Sequence, residues 1–310
     1  MRFLSLLHLA ENEKTAMNCK VQNFDEQILI YLNNAINLSK SLKSRGYSFT
    51  LLTNNRELLE NVINDNDKEK IEIIEVDFTS NIPKGVSFYS AHYKLDALRY
   101  ISTLDDKYCF FCDLDMVCIN YLPESAINII DANIPMYYDI SDQVIPVYSE
   151  KTIIEDISKV NKLHSEGRWS GGEFLSGPPS FFKELCTKCD EVFVNYTDNI
   201  NRLHHVGDEA FVSSALEILR RNGIYISDAG TLNIIGRFWS TNVLHIQKNF
   251  SFYENHFLLH LPADKRFLSE YSDFDHKKNS NDFIFRYKKY LFKINIINNI
   301  KKVVKIFIRK

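Results

Sequence analysis

No stretch of this 310-residue chain stays apolar and uncharged for the about 20 residues that a membrane-spanning helix requires. The opening segment from Met1 to Ala10 is largely apolar but gives way at once to Glu11-Asn12-Glu13-Lys14, which is short for a secretory signal and its cleavage region. The expectation is therefore a chain that is neither exported nor membrane-spanning. That same loop, Ala10-Glu11-Asn12-Glu13-Lys14, contains no glycine, which speaks against a metal-dependent sugar nucleotidyltransferase, whose chemistry needs a glycine-rich, lysine-bearing turn there. Positive charge is also scarce over most of the chain. Residues 1–276 hold 26 Lys or Arg against 39 Asp or Glu, a balance that argues against a nucleic-acid-binding body.

Cysteine is sparse, and its spacing misleads. Cys109/Cys112 and Cys186/Cys189 spell Cys-x-x-Cys twice. The first pair lies on an extended segment, where residues three apart point to opposite faces and cannot chelate one ion. The second pair falls in the helical pattern Phe181-Phe182-Lys183-Glu184-Leu185-Cys186-Thr187-Lys188-Cys189, where cysteine acts as a small hydrophobe. Reduced thiols fit a reducing, cytoplasmic compartment.

What is present is a core-forming composition, 45% apolar and 13% aromatic, arranged as alternating strands and helices. Phe3–Leu9 reads as a first strand. Ile28, Leu29, Leu32, Ile36 and Leu42 recur at helical spacing, with Gly46 as the cap. Strands follow at Tyr47–Leu52 and Ile71–Val76, then a helix over Ala91–Ile101 and a strand beginning at Tyr108. Further on, a strand is expected at Ile134–Tyr138, a helix over Ser149–Lys159, a glycine-flanked strand over 170–179 leading into a helix near Ser180, a helix through Leu219 and a strand at Ile224–Ile226. This is the grammar of an α/β protein with a mixed, Rossmann-like sheet flanked by helices.

Asp-x-Asp occurs three times, as Asp65-Asn66-Asp67, Asp113-Leu114-Asp115 and Asp273-Phe274-Asp275. The outer two lie in polar surroundings. Only the middle one ends a run as oily as Tyr108-Cys109-Phe110-Phe111-Cys112, so only there would two acids be pushed from a buried strand into a cleft. Adjacent carboxylates repel and resist desolvation, and hard oxygen donors suit Mg²⁺ or Mn²⁺ bridging to a substrate diphosphate. Three later segments add candidates. The paired Gly171-Gly172 lets backbone approach a ligand closely. The Gly-Gly-Glu-Phe lettering at 171–174 mimics cyclic-dinucleotide synthases, but the usual extra acid and hairpin are missing. Asp208 and Glu209 open a helix, where acids also complement the helix dipole. His260 ends an apolar run just before Lys265 and Arg266, although a lone histidine is more often a core residue than a ligand.

Taken together, Tyr93-Lys94-Leu95, Asp113-Leu114-Asp115, the Gly171-Gly172 strand, Asp208-Glu209 and His260 resemble the nucleotide-sugar glycosyltransferases of the GT-A fold, in particular the retaining lipopolysaccharide galactosyltransferase and glycogenin group (glycosyltransferase family 8). The resemblance covers most of residues 1–270. It implies that Asp113 and Asp115 bind Mn²⁺ or Mg²⁺ with His260 as third ligand, His256 being the rival. It implies that Leu9 and Ala10 flank the uracil of a UDP-sugar, that Lys94 beside Tyr93 contacts the nucleotide or phosphate, and that Lys265 or Arg266 steadies the leaving diphosphate. Leu114, Gly171 and Gly172 would line the donor site, while Asp208 and Glu209 face the sugar or the acceptor as catalytic candidates. Two departures stand out. The family's Gly and Lys-Pro-Trp after the histidine are here Leu261-Pro262-Ala263-Asp264-Lys265-Arg266-Phe267, and its Asn-Ala/Ser-Gly strand is here Gly-Gly-Glu-Phe.

On this reading residues 1–120 form a nucleotide-binding half and 121–270 an acceptor half of one catalytic domain. Residues 277–310 form a basic tail with eleven Lys or Arg and the single acid Asp282. There Phe283, Tyr287, Tyr290, Leu291, Ile294, Ile297, Val304 and Ile308 recur three or four apart between bases, the pattern of an interfacial helix on an anionic membrane or of a helix packed on the protein body. Membrane docking would make the acceptor a lipid-linked saccharide, such as a lipopolysaccharide or lipooligosaccharide core on the inner face of the cytoplasmic membrane. A non-catalytic, membrane-docked binding module is the remaining alternative.

Overall fold

The computed structural model describes residues 1–10, 23–271 and 280–308. Its spine is a seven-stranded sheet. Strands β1 (Arg2–Leu7), β2 (Ser48–Thr53), β3 (Glu72–Glu75) and β4 (Cys109–Cys112) run parallel in the order β3-β2-β1-β4. Beyond β4 the sheet continues through β7 (Ser170–Gly177), antiparallel to both neighbours, then β6 (Met136–Asp139) and β8 (Ser227–Asp228). The four residues of β4 are all buried, which is what a central strand covered on both faces demands. Phe3 of β1 lies opposite Phe110 of β4, their rings stacked at 4.3 Å.

Helix α1 (Phe24–Lys43) covers one face. Asn23 caps it by accepting from the Asp25 N–H, Asp25 and Glu26 sit in its first turn, and Lys40 and Lys43 sit in its last, all favourable to the helix dipole. Gly46 follows with φ +85°, a left-handed turn that glycine adopts without strain. Elsewhere α2 (Lys94–Ile101), α3 (Glu150–Asn161), α4 (Pro179–Asn199) and α5 (Asp208–Arg221) pack against the sheet or each other. The helix expected over Ala91–Ile101 is broken at Tyr93 into Tyr89–His92 and α2.

The strand expected to begin at Tyr108 ends at the acids, and one further expectation changes. After β4 the chain leaves the large sheet through Asp113-Leu114-Asp115 and resumes as β5 (Met116–Cys118) in a second, three-stranded sheet of order β5-β10-β9, with β9 at Ile235–Arg237 and β10 at Leu258–His260. The strand expected at Ile224–Ile226 forms instead at Ser227–Asp228. The Ile224 N–H is already committed to Leu219 O, closing the end of α5 through Gly223 at φ +88°, so ladder pairing begins only after that turn.

A second core lies behind the small sheet, and α6 (Lys265–Glu270) and α7 (Ser280–Ile308) complete it. Phe283 and Tyr287 are buried in it, with Tyr290 and Leu291 packed alongside, so one face of this half of the basic tail meets protein, while Phe285 on it is exposed. Further along α7, Phe292, Ile296, Ile297 and Ile300 are exposed. The side chains of Val304 and Ile308, residues 11–21 of the first loop, and the Asp273-Phe274-Asp275 motif lie outside the described residues. Among those described, no helix is long and apolar enough to cross a membrane.

Candidate active site

A cleft of about 400 Å³ opens where β1 and β4 end, the edge at which parallel sheets gather ligands. Its floor is the junction of the two sheets. The Asp113 N–H donates to Glu173 O of β7 at 3.1 Å, and Asp115 O accepts from the Leu261 N–H just past β10 at 2.9 Å. Leu114 between them is buried and anchors the turn. His260, the last residue of β10, pairs with Met116 in register, which carries its ring back over the acids. One donor atom from each of Asp113, Asp115 and His260 lies within 4.8 Å of the others. His256 is not part of this group: it packs against Phe252 and Tyr253, while its backbone carbonyl accepts from Asn120.

Each aspartate has its own lysine. Lys94 begins α2, where a cation opposes the helix dipole, so its position serves something other than the helix. Its Nζ lies 2.8 Å from Asp113 Oδ1 and 3.1 Å from Asp208 Oδ2, and donates to Gly172 O at 2.8 Å. Burial alone would discharge this lysine, but Asp113 and then Asp208 reverse that and hold its pKa above the ordinary lysine range. Lys265 Nζ sits 2.6 Å from Asp115 Oδ2 and donates to Pro262 O. Arg266, the other candidate base, points outward and pairs with Glu26. The two acids consequently differ. Burial raises the Asp113 carboxyl despite Lys94, with Asp115 adding to the rise, whereas burial of Asp115 is outweighed by Lys265 and His260, which hold it well below the usual range.

His260 links this floor to a second charged layer. Its Nε2 lies 3.1 Å from Asp115 and its Nδ1 3.3 Å from Glu173 Oε1. Burial would lower the imidazole, but Asp115 and Glu173 more than compensate and raise it to about 9. Glu173, itself buried, is held down to about 2 chiefly because the Arg237 guanidinium, 3.4 Å away, overcomes the cost of its burial. Arg237 also donates to Gln143 Oε1 at 3.0 Å and lies 4.0 Å from Glu209. Glu209 accepts from Trp169 Nε1 at 2.7 Å and from the Gly172 N–H at 3.4 Å, and His205 and Arg237 keep it ionised against its burial.

The glycines have an identifiable reason. A Cβ on Gly172 would stand 2.3 Å from Asp208 Oδ2, so the Lys94–Asp208 pair fits only because that side chain is absent. At the other end of the cleft the Leu9 N–H donates to Asn54 Oδ1 at 2.7 Å and Asn54 returns a bond to Leu9 O at 2.9 Å, which extends the strand edge by one step. The His8 ring stacks on Tyr93 at 4.1 Å and bonds Ser90, and burial lowers its pKa to about 4 despite Asp96, leaving it neutral. Ala10, the last residue described before the first loop, is half-buried.

The structure thus brings Lys94, Asp113, Leu114, Asp115, Gly172, Asp208, Glu209, His260 and Lys265 around one cleft, with Gly171 and Leu9 immediately beside it and Tyr93 behind the His8 ring that lines it. Sequence reading missed Glu173, Arg237 and His8. The signal for Arg237 was a lone guanidinium inside Ile234-Ile235-Gly236-Arg237-Phe238-Trp239, an apolar setting that a charge rarely enters unpaired.

No known family model matches the chain, and no curated protein does. Among solved structures, the chain is similar at 12% identity to galactosyltransferase LgtC in complex with donor and acceptor sugar analogs, over 87% of this chain and 95% of that one, with a TM-score of 0.49. An active-site mutant of LgtC is similar over 84% of this chain and 87% of that one, at 12% identity and a TM-score of 0.46.

Proposed function

We propose that this protein is a metal-dependent glycosyltransferase that moves a sugar from a nucleotide sugar, UDP-linked by the sequence resemblance, to a saccharide acceptor. One observation carries the reading: two carboxylates and an imidazole converge on the floor of a cleft and are flanked on both sides by lysines, Lys94 and Lys265. The donor set fits a hard divalent ion, because it offers oxygen, oxygen and nitrogen atoms mutually within reach. Glu173 behind His260 is the orienting carboxylate such ligands normally have. A divalent ion held there by Asp113, Asp115 and His260 would supply Lewis-acid neutralisation of a departing diphosphate.

The remaining work belongs to the chain. Lys265, anchored at Asp115, offers a second positive charge to a diphosphate, and Lys94 fixes Asp113 in place. Of the two catalytic candidates, Asp208 is committed to Lys94, whereas Glu209 is ionised at the cleft and braced by Trp169, so Glu209 is the better group to face the reacting sugar. We assign nucleotide binding to residues 1–120 and acceptor binding to 121–270, with His260 and Lys265 of the second half reaching the donor's diphosphate. The outer part of α7, where exposed Phe292, Ile296, Ile297 and Ile300 accompany Lys289 and Lys293, we assign to an anionic membrane surface, with a lipid-linked saccharide as acceptor.

A panel of nucleotide sugars with Mn²⁺, scored for donor hydrolysis, tests the central reading. Turnover with at least one donor is expected, and Asp115→Ala should abolish it; equal turnover in that variant removes the assignment. Flotation with phosphatidylglycerol vesicles against phosphatidylcholine vesicles tests the tail, for which equal binding to both is the adverse result.

A further inference from the structure

Helix α7 reaches the cleft without lining it. Asp264 immediately precedes α6, the position from which an aspartate normally turns back to accept from the free N–H groups of its own helix, yet it makes no such bond. Its buried carboxylate instead accepts from three hydroxyls brought from elsewhere: Tyr287 at 2.6 Å and Tyr290 at 2.9 Å from α7, and Ser240 at 2.6 Å from the loop after β9. Burying a carboxylate is costly unless its acceptors are met, so this arrangement holds Asp264 in one orientation. Phe267 on α6 is gripped as well, its ring centroid 5.3 Å from that of Tyr287 and 4.6 Å from that of Tyr290. The next residue after Asp264 is Lys265, on Asp115, and four residues before Asp264 stands His260.

We propose that α7 is a positioning element of the cleft: Tyr287 and Tyr290, acting through Asp264, fix the 261–265 loop so that Lys265 is presented to the diphosphate of the donor. The identity of that ligand rests on the glycosyl-transfer reading, while the mechanical link from α7 to the loop does not. Neither tyrosine touches substrate. A helix that merely scaffolded the body would, on losing these hydroxyls, loosen the fold without singling out the lysine loop.

The test uses the full chain with Tyr287→Phe and Tyr290→Phe combined, Lys265→Met, and the triple variant. The first arm needs no ligand: amide hydrogen exchange across 261–268 is compared with exchange in β1. Loss of two hydroxyl bonds to a buried carboxylate should speed exchange in the loop at least about tenfold and leave β1 unchanged. Unchanged exchange, or equal acceleration in both segments, overturns the proposal. The second arm compares UDP with UMP binding in the presence of Mn²⁺. The double tyrosine variant and Lys265→Met should each lose about tenfold in UDP affinity with little change for UMP, and the triple variant should lose no more than either. Additive losses, or equal losses for both nucleotides, overturn the diphosphate role. A wild-type chain that binds neither nucleotide sinks the glycosyl-transfer reading instead, and the exchange arm still decides the link.

Discussion

His260 Nε2 lies 3.1 Å from Asp115 Oδ1 across 145 residues of chain, and Glu173 holds the opposite nitrogen of the same ring. At neutral pH that ring carries a proton, because Asp115 and Glu173 outweigh its burial and raise its pKa to about 9. The ion pairs it makes stabilise the fold fully below the ordinary imidazole value and are lost as pH rises through about 9. A metal ion must displace this proton, so Mn²⁺ affinity should rise with pH by roughly tenfold per unit and level off above about 9. Calorimetric titration from pH 6 upward checks this, and a pH-independent affinity would remove His260 from the ligand set.

Glu173→Gln keeps the shape of the side chain but removes the charge that orients His260. Carboxylates behind a metal-bound histidine contribute ~10–100-fold to affinity, and a loss of that size in Mn²⁺ binding is expected. An affinity equal to wild type would show that the contact between Glu173 and His260 has no bearing on the ion.

Lys94→Met leaves Asp113 and the buried Asp208 without their shared cation. Breaking such a pair from one side costs about 3–5 kcal/mol, so the melting temperature should fall sharply. Divalent metal restores a counter-charge to Asp113, so added Mn²⁺ should raise the melting temperature of the variant by more than that of wild type. A metal shift no larger than wild type would separate Asp113 from the ion.

Gly172→Ala drives a methyl group into Asp208 Oδ2 and so acts on the Lys94 pair at a distance. A cost of about 1–3 kcal/mol is expected from overpacking. In a cycle with Asp208→Ala the two effects should be non-additive, because removing the carboxylate relieves the clash. Strictly additive melting data would place the strain elsewhere.

How far the sequence carries can be judged residue by residue. β1, β4 and α1 were legible because their burial is written in apolar runs and spacing, and Asp113 and Asp115 were legible because their oily context separates them from two identical spellings elsewhere. His260 could be proposed, but its choice over His256 depended on the pairing of β10 with β5, which no local pattern encodes. The split of 108–117 between two sheets was hidden because both pieces are equally apolar. The Glu173–Arg237 pair joins β7 to β9 and exists only once both sheets are formed. On α7, Tyr287 and Tyr290 show the same periodicity whether a helix meets lipid or protein, so only the packing distinguishes the two for the part described.

The junction of the two sheets would bear on ion selectivity at the proposed site. Asp113 hangs from the larger sheet by its N–H and Asp115 from the smaller by its carbonyl, with one residue between. The gap between the acids is therefore a gauge of how the two sheets are set against each other, and a small shear there alters the size of cation that fits. Val117→Ile, in the core behind β5 and bearing no donor atom, should shift the preference between Mg²⁺ and the larger Mn²⁺ in a competition titration. Discrimination between metals would then be a property of the packing beneath the site as much as of its ligands.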